Sequence, residues 1–307
     1  MSTETHELQK KLSELKKLMA KSGLDGGVEL AQLEAKIKSG SDIENVWRHV
    51  ELARHPMRPY AMDYIVRIFK DWTELHGDRH YGDDPALIGG LAFFEGRPVT
   101  ILAHQKGRTL KENMFRNHGM ANPEGYRKAL RLAKQAEKFR RPIITFVDTA
   151  GAYPGLGAEE RGIGEAIARN LMEFCRLQTP IICVITGEGG SGGALGICVG
   201  DKVYMLEHAI YSVISPEGCA SILLRDSARA KDAAAMLRLT SADLLKFRLV
   251  NGIIAEGEGG AQANTDFVAA QIKAVLAKEL DALCARPIQA LVRYRNKKIS
   301  KMGVWSE

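Results

Sequence analysis

The 307-residue sequence predicts an α/β fold, a mainly parallel sheet covered by helices in one domain, and three observations carry the prediction. Apolar runs of strand length, Ile143–Val147 and Ile181–Thr186 among them, alternate with longer segments of helical period. Strands separated by helices pair in parallel, with both faces of the sheet buried. Both of those runs lead into glycine-bearing turns, and the carboxyl ends of parallel strands are where ligands gather.

The elements follow in order. Leu8, Leu12, Leu15 and Met19 recur at i, i+4, i+7 and i+11, which predicts an amphipathic helix. Lys21–Gly27 breaks it, and Leu30, Leu33 and Ile37 begin a second helix, a hairpin whose stripe is too narrow to form a core alone. Pro56 and Pro59 mark the exit into the main body, so three parts are expected: a helical region over 1–57, a main domain over 58–284 and a basic tail over 285–307. Leu87–Phe94 and Pro98–His104 predict a hairpin turning at Glu95-Gly96-Arg97. Glu124–Arg140 is a helix with Tyr126, Leu130, Ala133 and Phe139 on one face. The strand Ile143–Val147 ends at Asp148, a helix over about 159–177 follows, and the strand Ile181–Thr186 leads into a glycine loop. Lys202–Leu206 and Ile210–Ile214 are further strands, and Ser215-Pro-Glu-Gly218 turns into another helix. Helices are expected over 232–239, over 241–250 until Gly252 stops it, and over about 264–283.

Composition narrows the function classes. Hydrophobic residues at 45% and charged residues at 26% fit a folded globular chain. No run approaches the roughly 20 apolar residues of a membrane span, and the N-terminal dozen lacks the apolar stretch of a secretory signal, so a cytoplasmic location is expected. Five dispersed cysteines without a CxxC pair predict buried reduced thiols and no metal in this chain. The net charge of +6 owes much to residues 286–307, with six basic side chains and one acid, either a solvated tail or a docking surface for an acidic partner. Aromatics are not interleaved through that run, which argues against nucleic acid.

Chemistry concentrates in two turns, Asp148-Thr-Ala-Gly-Ala-Tyr-Pro-Gly155 and Gly187-Glu-Gly-Gly-Ser-Gly-Gly-Ala-Leu-Gly196. The second fits the spacing of a dinucleotide fingerprint, yet too few residues separate it from Lys202 for the usual crossover helix. Gly189-x-Ser191-x-Gly193 fits a nucleophile elbow, but His208 is the only later histidine and no familiar triad order results. A P-loop fails because Gly193 stands where its lysine belongs. Backbone-donor turns without a general base suit the stabilisation of an oxyanion, or else merely tight strand–helix packing. Glu159, Glu160 and Glu217 read as helix-start residues, Asp148 as the holder of its turn, and Lys106, Arg108 and Arg116 as a solvated loop or contacts to an anion. His76 and His80 have ligand-like spacing, but Gly77 and Asp78 between them favour a turn.

Longer motifs then carry a resemblance. Leu75-His-Gly-Asp-Arg79, Gly119-Met-Ala-Asn-Pro-Glu-Gly-Tyr-Arg-Lys-Ala-Leu-Arg-Leu132, the two glycine turns, Ala158-Glu-Glu-Arg-Gly162 and Tyr211-Ser-Val-Ile-Ser-Pro-Glu-Gly-Cys-Ala-Ser221 occur in an order similar to the alpha subunits of bacterial acetyl-CoA carboxylase carboxyltransferase. Gly259-Gly-Ala261 resembles that family's Gly-Gly-Ala-His, with Gln262 in place of the histidine. The resemblance implies a crotonase-like fold of repeated ββα units with a helical hairpin before it and a helical segment after it. It implies an α₂β₂ enzyme in which a zinc-bearing beta subunit holds most of the acetyl-CoA site. The implied reaction moves the carboxyl group of carboxybiotin, borne on the biotin carboxyl carrier protein, to acetyl-CoA, giving malonyl-CoA for fatty-acid synthesis; a separate biotin carboxylase spends the ATP. By similarity Gly151, Ala152, Gly192 and Gly193 are backbone oxyanion donors, and Gly189, Gly190, Ser191 and Tyr153 line the carboxybiotin side. A different crotonase-type acyl-CoA enzyme, acting alone with carboxylates in its site, and a non-catalytic scaffold remain the alternatives.

Overall fold

A polar edge and an apolar centre organise the sheet in the computed structural model, which describes residue 13 and residues 27–303. Strands β1 (Lys70–Glu74), β2 (Leu87–Phe94) and β3 (Arg97–His104) form an antiparallel meander. From β3 the sheet continues in parallel through β4 (Ile143–Thr149), β5 (Ile181–Gly190) and β6 (Lys202–Leu206). The short β7 (Ile210–Ser212) pairs with the far end of β5, and β8 (Gly252–Ile254) closes the sheet beside β6. All seven residues of β4 are buried, as a strand covered on both faces requires. Edge strand β1, Lys-Asp-Trp-Thr-Glu, has no apolar run and escaped the sequence reading, as did the three-residue β8.

Helices cover both faces. In α2 (Ala61–Ile68), Tyr64 stacks on Phe146 of β4 at 6.3 Å, and Phe69 just after the helix lies 5.7 Å from Phe94 of β2. After the short α3 (Leu110–Phe115), helix α4 (Pro123–Lys138) starts with proline at its first position, where a missing N–H costs nothing, and buries Tyr126, Ala129, Leu130, Leu132 and Ala133. The helix expected over 159–177 is two, α5 (Leu156–Glu160) and α6 (Ile163–Arg176). Gly162 between them has φ of 79°, a left-handed conformation that ends one helix and starts the next. Helix α7 (Ser191–Leu195) follows β5 directly.

The chain falls into two compact units. Glu51 and the described residues before it, in α1 (Gly27–Ala53), belong with Pro216–Arg238, which hold α8 (Pro216–Cys219) and α9 (Ala230–Leu237). Within that unit Lys231 pairs with Glu44 at 2.9 Å. The helix predicted on Leu8–Met19 lies, apart from residue 13, outside the described residues, as does nearly all of the break after it. The second unit, Leu52–Ser215 with Leu239 onward, holds the sheet and α10 (Ser241–Lys246), α11 (Thr265–Cys284) and α12 (Ile288–Ile299).

Helix α12 corrects the picture of a solvated basic tail. Arg295 is buried and spends its whole guanidinium: two bonds to the Asp201 carboxylate at 2.7 and 3.0 Å, and three to the carbonyls of Phe174, Leu177 and Thr179. Lys298 donates to the carbonyls of Gly200 and Asp201, and burial lowers its pKa. The cysteine expectation also needs correction: Cys183, Cys198 and Cys219 are buried free thiols, whereas Cys175 is half-buried and Cys284 is exposed at the end of α11.

Candidate active site

The glycine segment after Thr186 is strand and not loop. β5 runs on to Gly190, flanked by Thr149 of β4 opposite Gly189 and by β7 opposite Glu188–Gly190. Between the pairs Val147–Ile185 and Thr149–Gly189, two steps of β4 are passed by four of β5, so the strand bulges beside Asp148. Charged side chains hold the bulge. The Asp148 carboxylate accepts the Glu188 amide at 3.0 Å and the Lys106 ammonium at 2.7 Å. It fills the space that a side chain at Gly187 would need, since a Cβ there would sit 2.4 Å from Asp148 Oδ1. Arg58 Nε donates to the Thr186 carbonyl at 2.7 Å, and its remaining nitrogens clasp Glu256 at 2.6 and 3.0 Å. Glu256 also accepts the amides of His208 and Ala261, so this buried ion pair is hydrogen-bonded throughout.

The two glycine turns meet backbone to backbone. A Cβ on Gly193 would lie 2.3 Å from the Gly151 carbonyl carbon and 2.5 Å from the Ala152 nitrogen; one on Gly190 would lie 2.0 Å from the Ala150 oxygen. Any other residue at either position would prise the turns apart. Gly189 likewise leaves room for the Tyr211 ring, 2.8 Å from where its Cβ would be. Gly151 and Gly192 differ: nothing lies within 4 Å of a Cβ on Gly151, and one on Gly192 would meet only Ile167, at 3.7 Å. Both have room at that position, and on the Gly192 side an apolar cavity of about 480 Å³ adjoins Ser191 and Gly192, walled by Leu171, Leu195, Val199, Tyr211 and Leu249.

Among the eight residues singled out from the sequence, Gly151 and Ala152 thus lie against Gly190 and Gly193, Ser191 and Gly192 sit between those two contacts in the chain, and Gly189 lies one step inside the strand. The Gly151 amide donates to the Thr149 hydroxyl at 3.2 Å, so it is engaged within its own turn. Tyr153 donates its amide to the Ala121 carbonyl and sets its ring against Gly155. Ser191 is exposed and opens α7 with φ of 49°, the strained strand-to-helix turn of a nucleophile elbow. What the elbow lacks is a base, for no side chain among the described residues hydrogen-bonds the Ser191 hydroxyl. The amides of the first turn of α7 have no carbonyl four residues back within the helix.

The supporting charges were the part that sequence reading underrated. Lys106 is no solvated loop residue: burial opposes its charge, but Asp148 and Glu188 outweigh burial and raise its pKa. Arg108 stacks over Tyr60 at 4.1 Å and bonds the carbonyls of Pro56 and Arg58, and Arg116 bonds that of Pro85. His104, fully buried at the end of β3, is driven by burial down to about 4 and is neutral near pH 7. His76 and His80 belong to a turn, as Gly77 and Asp78 suggested: Asp78 accepts the amides of His80, Tyr81 and Gly82. Among the described residues no cluster of histidine, cysteine or carboxylate side chains could hold a metal ion, and no helix is long and apolar enough to cross a membrane.

A sheet of this topology with glycine turns at its carboxyl edge has relatives of known structure. The chain matches the 12S transcarboxylase with TM-score 0.61 at 20% identity over 75% of its length, spanning 43% of that longer chain. The beta subunit of Pseudomonas aeruginosa geranyl-CoA carboxylase gives TM-score 0.57 at 14% identity, over 82% of this chain and 45% of that one. Likeness at such identity shows the fold, which is crotonase-like. The family is fixed by sequence. Residues 1–303 match the acetyl co-enzyme A carboxylase carboxyltransferase-like family, and the chain belongs to it. It is 63% identical over 296 residues to the acetyl-coenzyme A carboxylase carboxyl transferase subunit alpha of Treponema denticola, covering 96% of this chain and 97% of that protein. It is 51% identical over 304 residues to the subunit of the same name from Alkaliphilus oremlandii, covering 98% and 96%. The chain is accordingly an enzyme of the carboxyltransferase class.

Proposed function

We propose that the chain works with a beta subunit, as α₂β₂, to move the carboxyl group from carboxybiotin on a carrier protein to acetyl-CoA, yielding malonyl-CoA in the cytoplasm. The observation that carries this reading is the backbone contact between the turns at Gly151-Ala152 and at Gly190–Gly193, with open space left only at Gly151 and Gly192. The residues fit a flat, uncharged ring system: glycine without a side chain on the open side, amides nearby, and an apolar wall beyond. Carboxybiotin, when bound, supplies the carboxyl group in activated form. The protein's part is to hold and to stabilise. The Ala152 and Gly192 amides and the start of α7 donate hydrogen bonds to a developing oxyanion, Gly193 and Gly190 keep the two turns at contact distance, and Ser191 and Tyr153 border the opening. Such donors act without a general base, because they are aimed before charge develops.

The same geometry weighs against a hydratase or isomerase acting alone. The carboxylates beside the turns, Asp148 and Glu188, are tied to Lys106 and Arg54 at 2.7 and 2.8 Å and are not free to shuttle protons. The test is malonyl-CoA formation from carboxybiotin and acetyl-CoA, first with the chain alone and then with the beta subunit. Activity should appear only with both, with zinc accompanying the partner. Full activity of the chain alone would overturn the reading.

A further inference from the structure

We propose that Lys106 is a positioning residue that aims both glycine turns, by neutralising the Asp148 carboxylate on which the β5 bulge is built. The inference deepens the reading above and rests on it for the turns' purpose, though the geometry stands apart. Asp148 is the joint of the site: it precedes the Thr149–Ala152 turn in sequence, and its carboxylate holds the Glu188 amide that precedes Gly189–Gly193. One side chain therefore fixes the start of each turn. That carboxylate is almost fully buried, with 3% of its side chain exposed, and among the described residues the one cation within hydrogen-bonding reach is Lys106, itself 14% exposed. Glu188, 3.7 Å from the same ammonium, has Arg54 as its nearer partner. His104 is neutral and adds no charge. Gly119 packs against the Lys106 stem, where a Cβ would come 2.9 Å from Cγ, so the lysine is held along its length and not only at its tip.

Removing the ammonium leaves a buried, unpaired carboxylate against the Gly187 backbone, a situation proteins relieve by moving. The carboxylate would swing toward water and release the Glu188 amide, and the turns would lose their common aim. A displacement of about 1 Å in a positioning element costs on the order of 10²-fold in rate. Lys106 touches neither substrate in this scheme, so kcat and not KM should respond.

The decisive comparison is Lys106→Met against Lys106→Met with Asp148→Asn. Asparagine still accepts the Glu188 amide but needs no cation. Two readouts are taken on the full chain: hydrogen exchange of the 186–193 amides, and kcat and KM for transfer with the beta subunit. In Lys106→Met we expect exchange across 186–193 to quicken at least tenfold and kcat to fall tenfold or more, with KM changed less than threefold. The double variant should recover both to within about threefold. If Lys106→Met keeps its amide protection and its kcat, or the double variant is no better than the single, the inference is wrong. Should Lys106→Met not accumulate, Lys106→Gln, which keeps a donor without the charge, carries the same comparison. If the wild-type pair shows no transfer at all, the functional reading fails while the exchange data still judge the role of Lys106.

Discussion

Replacing Gly193 by alanine adds one methyl group and should disable the enzyme, whereas the same change at Gly192 should be absorbed. The difference is worked from distances. A Cβ on Gly193 would stand 2.3 Å from the Gly151 carbonyl carbon and 2.5 Å from the Ala152 nitrogen, against the 3.4 to 4 Å of an ordinary contact. The obstacles are backbone atoms, so relief requires a shift of about 1 Å between the two turns. Overpacking of that kind costs about 1–3 kcal/mol in stability, and a 1 Å error in aim costs roughly 10²-fold in rate. On Gly192 the nearest atom to an added Cβ is Ile167 Cγ2 at 3.7 Å, which needs no movement. Thermal unfolding and gel filtration with the beta subunit report folding and assembly, and carboxyl transfer between biotin and malonyl-CoA reports the site. We expect Gly193→Ala to assemble with a lowered unfolding temperature and turnover reduced on the order of 10²-fold. Gly192→Ala should unfold like wild type. If Gly193→Ala turns over within threefold of wild type, the contact between the turns does not matter to the chemistry and the reasoning fails.

Other outcomes follow from the same geometry. Gly192→Val has room to fold but fills the space beside the amides, so transfer should drop by about 10²–10³ with assembly intact; near-normal turnover would make the glycine turns purely structural. Arg295→Met strands Asp201 without its buried partner and should cost about 3–5 kcal/mol in denaturant unfolding; a change under about 1 kcal/mol would show that the C-terminal helix docks by apolar contact alone. Acid should destabilise the chain most steeply below about pH 4. Burial opposes ionisation of Asp78, yet Arg127 and three backbone amides outweigh it and bring the pKa down to about 2, so stability present above the ordinary carboxylate range is lost as pH falls through that interval. Asp84, pushed up to about 6 by burial, acts in the opposite sense between about pH 6 and 4, which delays the loss. Asp78→Asn should flatten the stability–pH slope between pH 4 and 2, and an unchanged slope would remove Asp78 from the account.

What the sequence determined by itself was whatever local pattern can encode. Continuous apolar runs such as Ile143–Val147 specify a strand buried on both faces, and the period of Tyr126, Leu130 and Ala133 specifies the inward face of α4. Long motifs in fixed order specified the family. The two glycine turns stood out as places of close approach, because glycine is favoured where backbones or ligands must come close. Only the tertiary structure decided which glycine does which. Gly192 and Gly193 are neighbours of identical chemistry, yet one faces open space and the other another backbone, and that is a relation to residues some forty positions away. The charged support was hidden for the same reason. Lys106, Asp148 and Glu188 lie far apart in the chain, and a lysine in a polar loop has no local mark that separates a solvated ammonium from one held at 2.7 Å beneath a sheet. Arg295 sat within a basic run that reads as surface, and became core because α12 carries it to Asp201, 94 residues earlier. Secondary structure follows from periodicity along the chain, whereas burial of a charge and the aim of an amide depend on contacts between distant segments, which periodicity does not contain.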